Sequence, residues 1–201
     1  KGAVGNCDGQ FDARALTMKL IRNSDPVILT YTGLYVTPLD LLPEHVCIED
    51  IAHALANQCR FSGHTSKLYT VAQHSVLVAR LVPRHLAYDA LLHDAAEAYL
   101  QDVARPLKED AYFGQAYRGA ETRAERVIAE VFGLIYPHPP EIKVAETQML
   151  SAERRDMMPR IEDSTWEVTQ DVFPPFTRVV PWTPERSRNA FMKRYLLLKA
   201  R

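Results

Sequence analysis

The sequence predicts an all-α protein: an irregular helical bundle with a short N-terminal β-hairpin and an extended, partly β segment near the C-terminus. Along most of the chain, apolar residues recur at intervals of three and four, the spacing of one face of an α-helix. β-Branched and aromatic residues are concentrated in residues 27–36, around Thr32 and Gly33, which predicts the hairpin. Prolines and apolar residues are mixed from Pro159 to Pro184, which predicts extended chain with a short strand.

Three helices are predicted in the first half of the chain. The first covers residues 48–56, where the apolar residues form one stripe. Thr70 and Gln73 have the capping-box spacing at the start of the second helix, and Pro83 ends that helix because proline cannot continue it. The third helix is predicted from about His85 to Leu100 by the same periodicity.

Three more helices are predicted in the second half. Residues 111–132 form a long amphipathic helix, and Gly133 follows where a left-handed cap belongs. Residues 141–158 form the next helix. Thr183 and Pro184 are a favourable N-cap and first-position pair for a last helix. The bundle is therefore expected to contain about six helices.

Length and composition predict a single domain. A chain of 201 residues with 47% hydrophobic content can bury one sizeable core and leaves little room for a second. We assign residues 18–201 to this domain. Residues 1–17 precede Met18 and are interpreted as an N-terminal extension, either native or added, without a functional role.

Charge and cysteine usage restrict the expected partners and compartment. The formal net charge is −1 without a long basic run, so we expect no polymeric nucleic acid partner, although a few cations can hold a small anion. The three cysteines lack C-x-x-C spacing, which favours the cytoplasm. No apolar run approaches the roughly 20 residues that span a bilayer, so we expect a soluble protein without a membrane partner.

The dipeptide His93-Asp94 is the strongest sign of a functional site. It lies in an apolar stretch from Leu86 to Glu97, where a buried imidazole and a buried carboxylate both need a partner. A divalent cation satisfies both groups at once. On a continuous helix Glu97 falls on the same stripe as this pair. A surface ion pair is disfavoured because leucines and alanines make this helix apolar nearly all round.

His74 is a second candidate metal ligand. It shares one helix face with Leu77, Val78 and Leu81, which directs its ring into the core. An inward histidine is more often a core residue that binds no metal, so His74 gains weight only together with other ligands.

Several short motifs together resemble the HD-domain metal-dependent phosphohydrolases. They are Arg60-Phe61, VAQHS at residues 71–75, HDAAE at residues 93–97 and DVARPLK at residues 102–108. These motifs are most similar to the 5′-deoxynucleotidase branch and its phage-encoded relatives, some of which are deoxynucleoside triphosphate triphosphohydrolases. The resemblance extends from about Tyr31 to Tyr195 and implies an HD-domain helical bundle.

The resemblance implies one divalent metal ion, which manganese, cobalt, magnesium, iron or zinc would supply. By position, His74, His93 and Asp94 match three of the ligands. The fourth ligand of the family is an aspartate in a Val-Lys-x-Ala-Asp pattern. Here that position is Glu146, a departure from the pattern that changes the reach of the carboxylate.

The helix pattern supports Glu146 independently of the resemblance. It lies beside Ile142 and Met149 at helical spacing, so its carboxylate is expected to face inward. Glutamate oxygens also ligate divalent metals. Glu153 and Asp156 remain alternative fourth ligands, and a surface position for Glu146 remains open.

Glu97 and Asp102 resemble the pair of acids that handles protons and orients the attacking water. A metal lowers the pKa of its bound water towards neutrality, and a nearby carboxylate then takes or supplies a proton. On position alone, Asp102 fits equally well as a residue of a turn.

The remaining candidates would contact the substrate. Arg60 and Lys108 match the phosphate-contacting positions of the deoxynucleotidases, and Arg105 is an additional cation whose fork suits phosphate oxygens. Phe61 stands where the nucleotidases place a tryptophan beside the sugar, although it also fits as a core residue. His64 lies on a loop close to Arg60, and we expect it to contact substrate or phosphate.

The resemblance implies a hydrolase of nucleotide metabolism that acts on small nucleotides, first as a 5′-deoxynucleotidase and second as a deoxynucleoside triphosphate triphosphohydrolase. A non-hydrolytic nucleotide-binding or signalling module is the alternative, favoured by the departure at Glu146. A cyclic-nucleotide or alarmone hydrolase is disfavoured because the additional motifs of those enzymes are not found. Members of the family commonly pair through helices, so a homo-oligomer is expected.

Overall fold

The computed structural model describes residues 26–160, 169, 172–175 and 178–200. The predicted N-terminal extension, the domain boundary at residue 18 and part of the C-terminal segment lie outside the described residues. The described chain is mostly helical and contains a two-stranded antiparallel hairpin near its start. At this level the predicted all-α class with a short hairpin is confirmed.

The described elements follow one another through short connections. The strands are β1 (Ile28–Leu29) and β2 (Tyr35–Val36). The described helices are α1 (Ile48–Asn57), α2 (Val71–Leu81), α3 (Ala87–Leu92), α4 (Glu97–Leu100), α5 (Arg105–Glu109), α6 (Phe113–Phe132), α7 (Pro140–Met157) and α8 (Pro184–Lys199). Short 3₁₀ turns cover Pro38–Asp40, Pro43–His45, Arg60–Gly63 and Arg84–Leu86.

The hairpin is closed by a turn that is bound to α1. In the antiparallel pair, Ile28 lies opposite Val36. Gly33 in the turn has a φ of 90°, which glycine adopts without the steric cost that other residues meet. The backbone N–H and the hydroxyl of Thr32 donate to the carboxylate of Asp50 at 2.7 and 2.8 Å. These two bonds fix the hairpin to the first turn of α1.

Helix α2 lies at the centre of the bundle, in contact with α1, α3, α7 and α8. Thr70 caps it, because its hydroxyl accepts from the backbone N–H of Gln73 at 3.2 Å. The predicted start of this helix is therefore confirmed. His74 is 2% exposed, so its ring lies inside the core as the pattern predicts. The largest fully buried apolar side chains around α2 and its neighbours are Tyr69, Phe191, Ile51, Leu55, Leu91, Leu92, Ile128, Ile142 and Met157.

The third predicted helix is not continuous. Residues 93–96 form turns between α3 and α4. There the backbone N–H of Glu97 donates to the carbonyl of Asp94, an i to i+3 bond that winds the chain more tightly than an α-helix. The prediction of one helix over residues 85–100 is therefore wrong. The tighter winding begins at His93 and brings the polar residues of this turn to the end of α3, opposite α2.

The C-terminal segment follows the bundle without strand pairing in its described parts, residues 172–175 and 178–183. Side chains of other elements occupy its backbone groups instead. The N–H of Val179 donates to Asp156 at 2.8 Å. The amide of Gln73 binds two further backbone groups, donating to a carbonyl at 2.8 Å and accepting from an N–H at 2.8 Å. These described residues therefore form no strand, because side chains of α2 and α7 satisfy groups that a strand would pair. For the rest of the segment, which lies outside the described residues, the short strand stays a prediction.

The ends of the later helices agree with the prediction. Gly133 ends α6 with a left-handed φ of 68°. Thr183 begins α8, and its hydroxyl accepts from the N–H of Arg186 at 3.2 Å. None of the helices in the described part of the chain combines the length and the apolar character that crossing a membrane requires.

Candidate metal centre

Two histidines and an aspartate meet where α2 faces the end of α3. His74, His93 and Asp94 each offer one ligand atom, and these atoms lie within 4.8 Å of one another. Oδ2 of Asp94 lies 3.2 Å from Nε2 of His93 and 3.6 Å from Nε2 of His74. Nitrogen and oxygen ligands bind a divalent ion such as zinc at about 2.0–2.2 Å, so one ion can contact all three atoms after small adjustments.

The second nitrogen of each imidazole is held by an acceptor on the far side of the ring. Nδ1 of His93 lies 2.8 Å from the carbonyl oxygen of Ala90, which can only accept, so this nitrogen carries the proton. Nδ1 of His74 lies 2.6 Å from Oε1 of Glu153. Both Nε2 atoms are therefore directed at Asp94, where a proton or a metal ion can lie between the side chains. This is the arrangement in which histidines bind metals, with the outer nitrogen fixing the tautomer and the ring.

The centre contains buried polar atoms without a hydrogen-bond partner among the described residues. They include Nε2 of His93 and Oδ2 of Asp94. Leaving a buried acceptor unpaired costs roughly 1–3 kcal/mol. Two facing acceptors also repel each other unless a proton or a cation lies between them. The side chains present therefore fit a divalent cation, and two imidazoles with one carboxylate suit several transition metals equally well.

The pKa shifts of His93 and Asp94 also indicate a site for a cation. Burial by itself would lower the pKa of His93, but the carboxylate of Asp94 outweighs burial and raises this pKa to about 9. Burial opposes ionisation of Asp94, yet His93, His74 and Arg60 hold the pKa of Asp94 far below its ordinary value. His93 and Asp94 therefore share a proton in the metal-free protein, and a metal ion would displace it.

Glu146 of α7 faces this centre from the other side. Its Oε1 lies 3.9 Å from Nε2 of His93, whereas its Oε2 accepts from Nζ of Lys143 at 2.6 Å. The approach to His93 lowers the pKa of Glu146, although burial acts against it. Glu146 is thus half-buried and close to the three ligands without belonging to their tight group. Its assignment as fourth ligand stays a prediction.

The two alternative acids are engaged elsewhere. Asp156 forms an ion pair with Arg155 at 2.7 Å and accepts from the backbone of Val179. Glu153 is fully buried, but it lies at Nδ1 of His74, whereas Nε2 of that ring faces Asp94. Neither acid reaches the point where the three ligand atoms meet.

A cavity of about 630 Å³ opens beside the three ligands, within the range typical of small-molecule sites. Every candidate residue predicted from the sequence lines it, except His93 and His64. Its lining residues are Arg60, Phe61, Ser62, His74, Asp94, Glu97, Asp102, Val103, Ala104, Arg105, Pro106, Lys108, Lys143, Glu146, Thr147 and Leu150. The turn before α2, the turn after α3, α5 and α7 thus contribute to one concave surface.

Glu97 and Asp102 lie on the wall next to Asp94. Their backbones are held together by Gln58, whose Nε2 donates to the carbonyl of Glu97 at 2.9 Å and whose Oε1 accepts from the N–H of Asp102 at 3.2 Å. Burial, Asp94 and Asp102 raise the pKa of Glu97 well above its ordinary value. Burial also raises the pKa of Asp102. Carboxyl groups with raised pKa values at the wall of a cavity are candidates for proton transfer.

Arg60 reaches the cavity from the 3₁₀ turn before α2. Its Nη1 lies 3.7 Å from Oδ2 of Asp94, and its Nη2 donates to Oε2 of Glu153 at 3.3 Å. The guanidinium also lies over the ring of Phe61, at 5.4 Å from the ring centre. Phe61 and Ser62 have φ values of 55° and 51°, a left-handed conformation that is costly for non-glycine residues. Such local strain is concentrated at functional sites and marks this turn.

Lys108 and Arg105 approach from α5. Nζ of Lys108 lies 2.6 Å from Glu121 of α6 and 3.8 Å from Glu97. A side chain at Gly114 of α6 would collide with the carbonyl of Lys108, so glycine permits this close contact between α5 and α6. Arg105 is exposed and forms no ion pair within the described ranges. Lys108 is therefore already paired, whereas Arg105 can bind an anion directly.

His64 does not reach the cavity. It is exposed and ends the turn that contains Phe61, to whose carbonyl its backbone N–H donates at 2.9 Å. The predicted contact of His64 with substrate or phosphate is therefore not supported by this structure.

The sequence pattern did not predict the positions of two α7 residues at the candidate site. Glu153 was considered only as a ligand, although it binds the outer nitrogen of a ligand. Lys143, which pairs with Glu146 and lines the cavity, was not considered. A signal was present for Glu153, because it follows Glu146 by two helical turns and Met149 by one, on the inward face.

No family model matches this chain. It is 38% identical over 172 residues to the uncharacterized protein YfdR of Escherichia coli (strain K12), an alignment that covers 84% of this chain and 93% of YfdR. It is also 38% identical over 129 residues to the uncharacterized protein RCAP_rcc00048 of Rhodobacter capsulatus, covering 58% of this chain and 65% of that protein. Because the first alignment extends over nearly the whole of its relative, this chain belongs to the same protein family as YfdR.

Proposed function

We propose that this protein is a divalent-metal-dependent phosphohydrolase of small nucleotides with an HD-type centre. The observation that carries the proposal is that the ligand atoms of His74, His93 and Asp94 lie close together, and two of these buried atoms lack a hydrogen-bond partner among the described residues. They lie beside a cavity that is also lined by cationic side chains. The motif resemblance to HD-domain phosphohydrolases supports it independently. A phosphate ester needs both elements, a cation at the reacting phosphorus and donors for its other oxygens.

The proposed work of the chain's own residues follows from their positions. A divalent ion held by His74, His93 and Asp94 would supply Lewis-acid chemistry to a phosphoryl group and to water. Glu97 lines the cavity together with Asp94 and can deliver a proton to the leaving oxygen. Asp102 shares the same wall and can orient water or exchange a proton with Glu97. Nη1 of Arg60 is directed towards the anion site beside Asp94.

The proposed substrates are deoxynucleoside monophosphates first and deoxynucleoside triphosphates second. Arg60 and Lys108 provide for one phosphate, and Phe61 offers a ring for the sugar or base. Arg105 and Lys143 also line the cavity and would favour a longer phosphate chain. Because Lys143 is already paired with Glu146, the monophosphate remains the first proposal.

The proposal is tested by stripping the purified protein with a chelator and restoring manganese, cobalt, magnesium, iron or zinc separately. Each form is incubated with deoxynucleoside mono-, di- and triphosphates, and the release of phosphate and of triphosphate is measured separately. We expect turnover only with a divalent metal. Full activity after chelation would contradict the metal mechanism.

A non-hydrolytic nucleotide-binding or signalling module is the second candidate. It is favoured by one observation: Glu146 is paired with Lys143 and lies outside the tight group of ligand atoms. Nucleotide binding by calorimetry without product formation under any of the five metals would support this candidate over the hydrolase.

A further inference from the structure

We propose that Glu153 is a positioning residue that joins the metal ligand His74 and the cavity cation Arg60 to a single buried carboxylate. Loss of this carboxylate should weaken metal binding and anion binding together. The inference rests on the proposed function, since it assumes that the centre binds a metal ion and the cavity binds an anion.

Three donors from different parts of the chain meet at Glu153. Its Oε1 accepts from Nδ1 of His74 at 2.6 Å and from the hydroxyl of Tyr69 at 2.8 Å. Its Oε2 accepts from Nη2 of Arg60 at 3.3 Å. The side chain of Glu153 is 0% exposed, so these contacts take the place of water. Both oxygens are thus used, and each serves a different side of the site.

Burial makes the ion pair between Glu153 and Arg60 a fixed one. The carboxylate of Glu153 is fully buried, and its Oε2 lies 3.3 Å from Nη2 of Arg60. A buried charge that loses its partner is strongly destabilising, commonly by about 3–5 kcal/mol. Arg60 and Glu153 therefore depend on each other, and neither is free to leave its place.

One consequence concerns the metal ligand. The contact at Nδ1 of His74 fixes the proton on that nitrogen and leaves Nε2 available towards Asp94. Without an acceptor at Nδ1, the ring can rotate or take the other tautomer, in which Nε2 carries a proton and cannot ligate. Removing such outer partners of metal-binding histidines typically lowers metal affinity about 10- to 100-fold.

The other consequence concerns the anion. Because Nη2 of Arg60 is held by Glu153, the second guanidinium nitrogen is left facing the cavity, 3.7 Å from Asp94. An incoming phosphate would meet a guanidinium that is already oriented, which reduces the entropy lost on binding. The same carboxylate thus prepares both halves of the proposed site.

The test compares Glu153→Gln with the wild-type protein. The amide has nearly the same shape but no charge, and only its oxygen accepts hydrogen bonds, so it cannot accept from both His74 and Arg60. Mn²⁺ affinity of the metal-free protein is measured by calorimetry, and inorganic phosphate affinity is then measured at saturating Mn²⁺. We expect Mn²⁺ to bind about 10- to 100-fold more weakly and phosphate also to bind more weakly.

Two matched variants separate this role from general damage. Asp156→Asn removes a carboxylate from the same helix, but one that pairs with Arg155 away from the cavity, so both affinities should stay at the wild-type level. Tyr69→Phe removes one hydrogen bond to Oε1 and keeps both charges, so its effect should be smaller than that of Glu153→Gln.

A measurement on the wild-type protein covers the case in which Glu153→Gln does not fold. Long-range ¹H–¹⁵N NMR of the metal-free protein should show Nδ1 of His74 protonated and Nε2 unprotonated. A proton on Nε2 instead would overturn the positioning role.

The outcomes distinguish this inference from the proposed function. If the wild-type protein binds Mn²⁺, and Glu153→Gln binds Mn²⁺ and phosphate with wild-type affinity, the role of Glu153 is overturned while the metal centre stands. If the wild-type protein binds no divalent cation, the proposed function fails and this inference with it.

Discussion

The two sides of the cavity hold their charges in different ways. On the ligand side, acceptors hold the rings of His74 and His93 from behind, and Nε2 of His93 and Oδ2 of Asp94 face each other without a hydrogen-bond partner among the described residues. On the cation side, Lys108 and Lys143 already form ion pairs of 2.6 Å with Glu121 and Glu146. The ligand side is therefore prepared for an ion, whereas much of the cation side must exchange partners when an anion arrives.

The ligand side and the cation side are therefore expected to contribute differently to metal affinity and to phosphate affinity. A prepared ligand set loses little conformational freedom when it binds an ion, because its side chains are already oriented. A paired lysine must give up an existing salt bridge before it binds phosphate, so its net contribution is smaller than its charge suggests. The two arginines of the cation side differ from these lysines. A buried carboxylate holds Arg60 in place, and Arg105 is exposed without an ion pair within the described ranges.

The largest expected effect is on the ligand side. Asp94→Ala removes the atom shared by both histidines, so we expect no detectable turnover and strongly reduced metal content. Metal content is measured by elemental analysis and turnover by phosphate release. Wild-type activity in this variant would show that the ligand side is not a metal centre.

The pH dependence of metal binding should also be large. With a pKa of about 9, His93 in the metal-free protein is protonated at neutral pH and must lose this proton to ligate an ion. Apparent affinity should therefore rise by up to about tenfold per pH unit from pH 6.5 to about 8, and level off only above the pKa of His93.

Calorimetry at several pH values, in buffers with different ionisation enthalpies, checks this and should detect release of about one proton. An affinity that is flat over this range would mean that the metal does not replace the proton between His93 and Asp94.

On the cation side, Arg60→Ala should lower kcat/KM at least about tenfold for every nucleotide alike, which corresponds to a loss of about 1.36 kcal/mol of transition-state stabilisation. Steady-state kinetics with several bases measures it. Lys108→Ala is the informative comparison, because a lysine that must leave Glu121 should matter less. A change within about twofold for Arg60→Ala would remove it from the anion site.

The smallest of these effects is expected at Glu146, which lies between the two sides. Glu146→Gln should weaken metal binding, since one oxygen of Glu146 lies 3.9 Å from His93, whereas Asp156→Asn should not. Glu146→Asp restores the shorter acid of the family pattern and should keep activity. Equal Mn²⁺ affinity in Glu146→Gln and wild type would leave the centre with three protein ligands.

Local sequence patterns were sufficient where local physics decides the outcome. The cap at Thr70, the left-handed end at Gly133 and the start of α8 at Thr183 depend on bonds within a few residues, and all three are present. The inward direction of His74 follows from helical spacing alone, and its burial agrees.

Tertiary contacts decided what the sequence reasoning got wrong. The segment after α7 has the composition of a strand, but Asp156 and Gln73 bind its described backbone groups, so it needs no strand partner there. The turn at residues 93–96 interrupts an apolar stretch that periodicity interprets as one helix. His64 is close to Arg60 in sequence, yet it is exposed and does not line the cavity that Arg60 enters.

The sequence by itself determined the all-α class, most helix ends and the residue types that a metal centre requires, because propensities, caps and periodicity act over short distances. Only the tertiary structure decided which acid does what. Glu146, Glu153 and Asp156 are carboxylic acids on one helix, and they differ in their neighbours. Glu146 lies near His93 and Lys143, Glu153 contacts His74 and Arg60, and Asp156 pairs with Arg155. Those neighbours come from distant parts of the chain, and no local pattern encodes them.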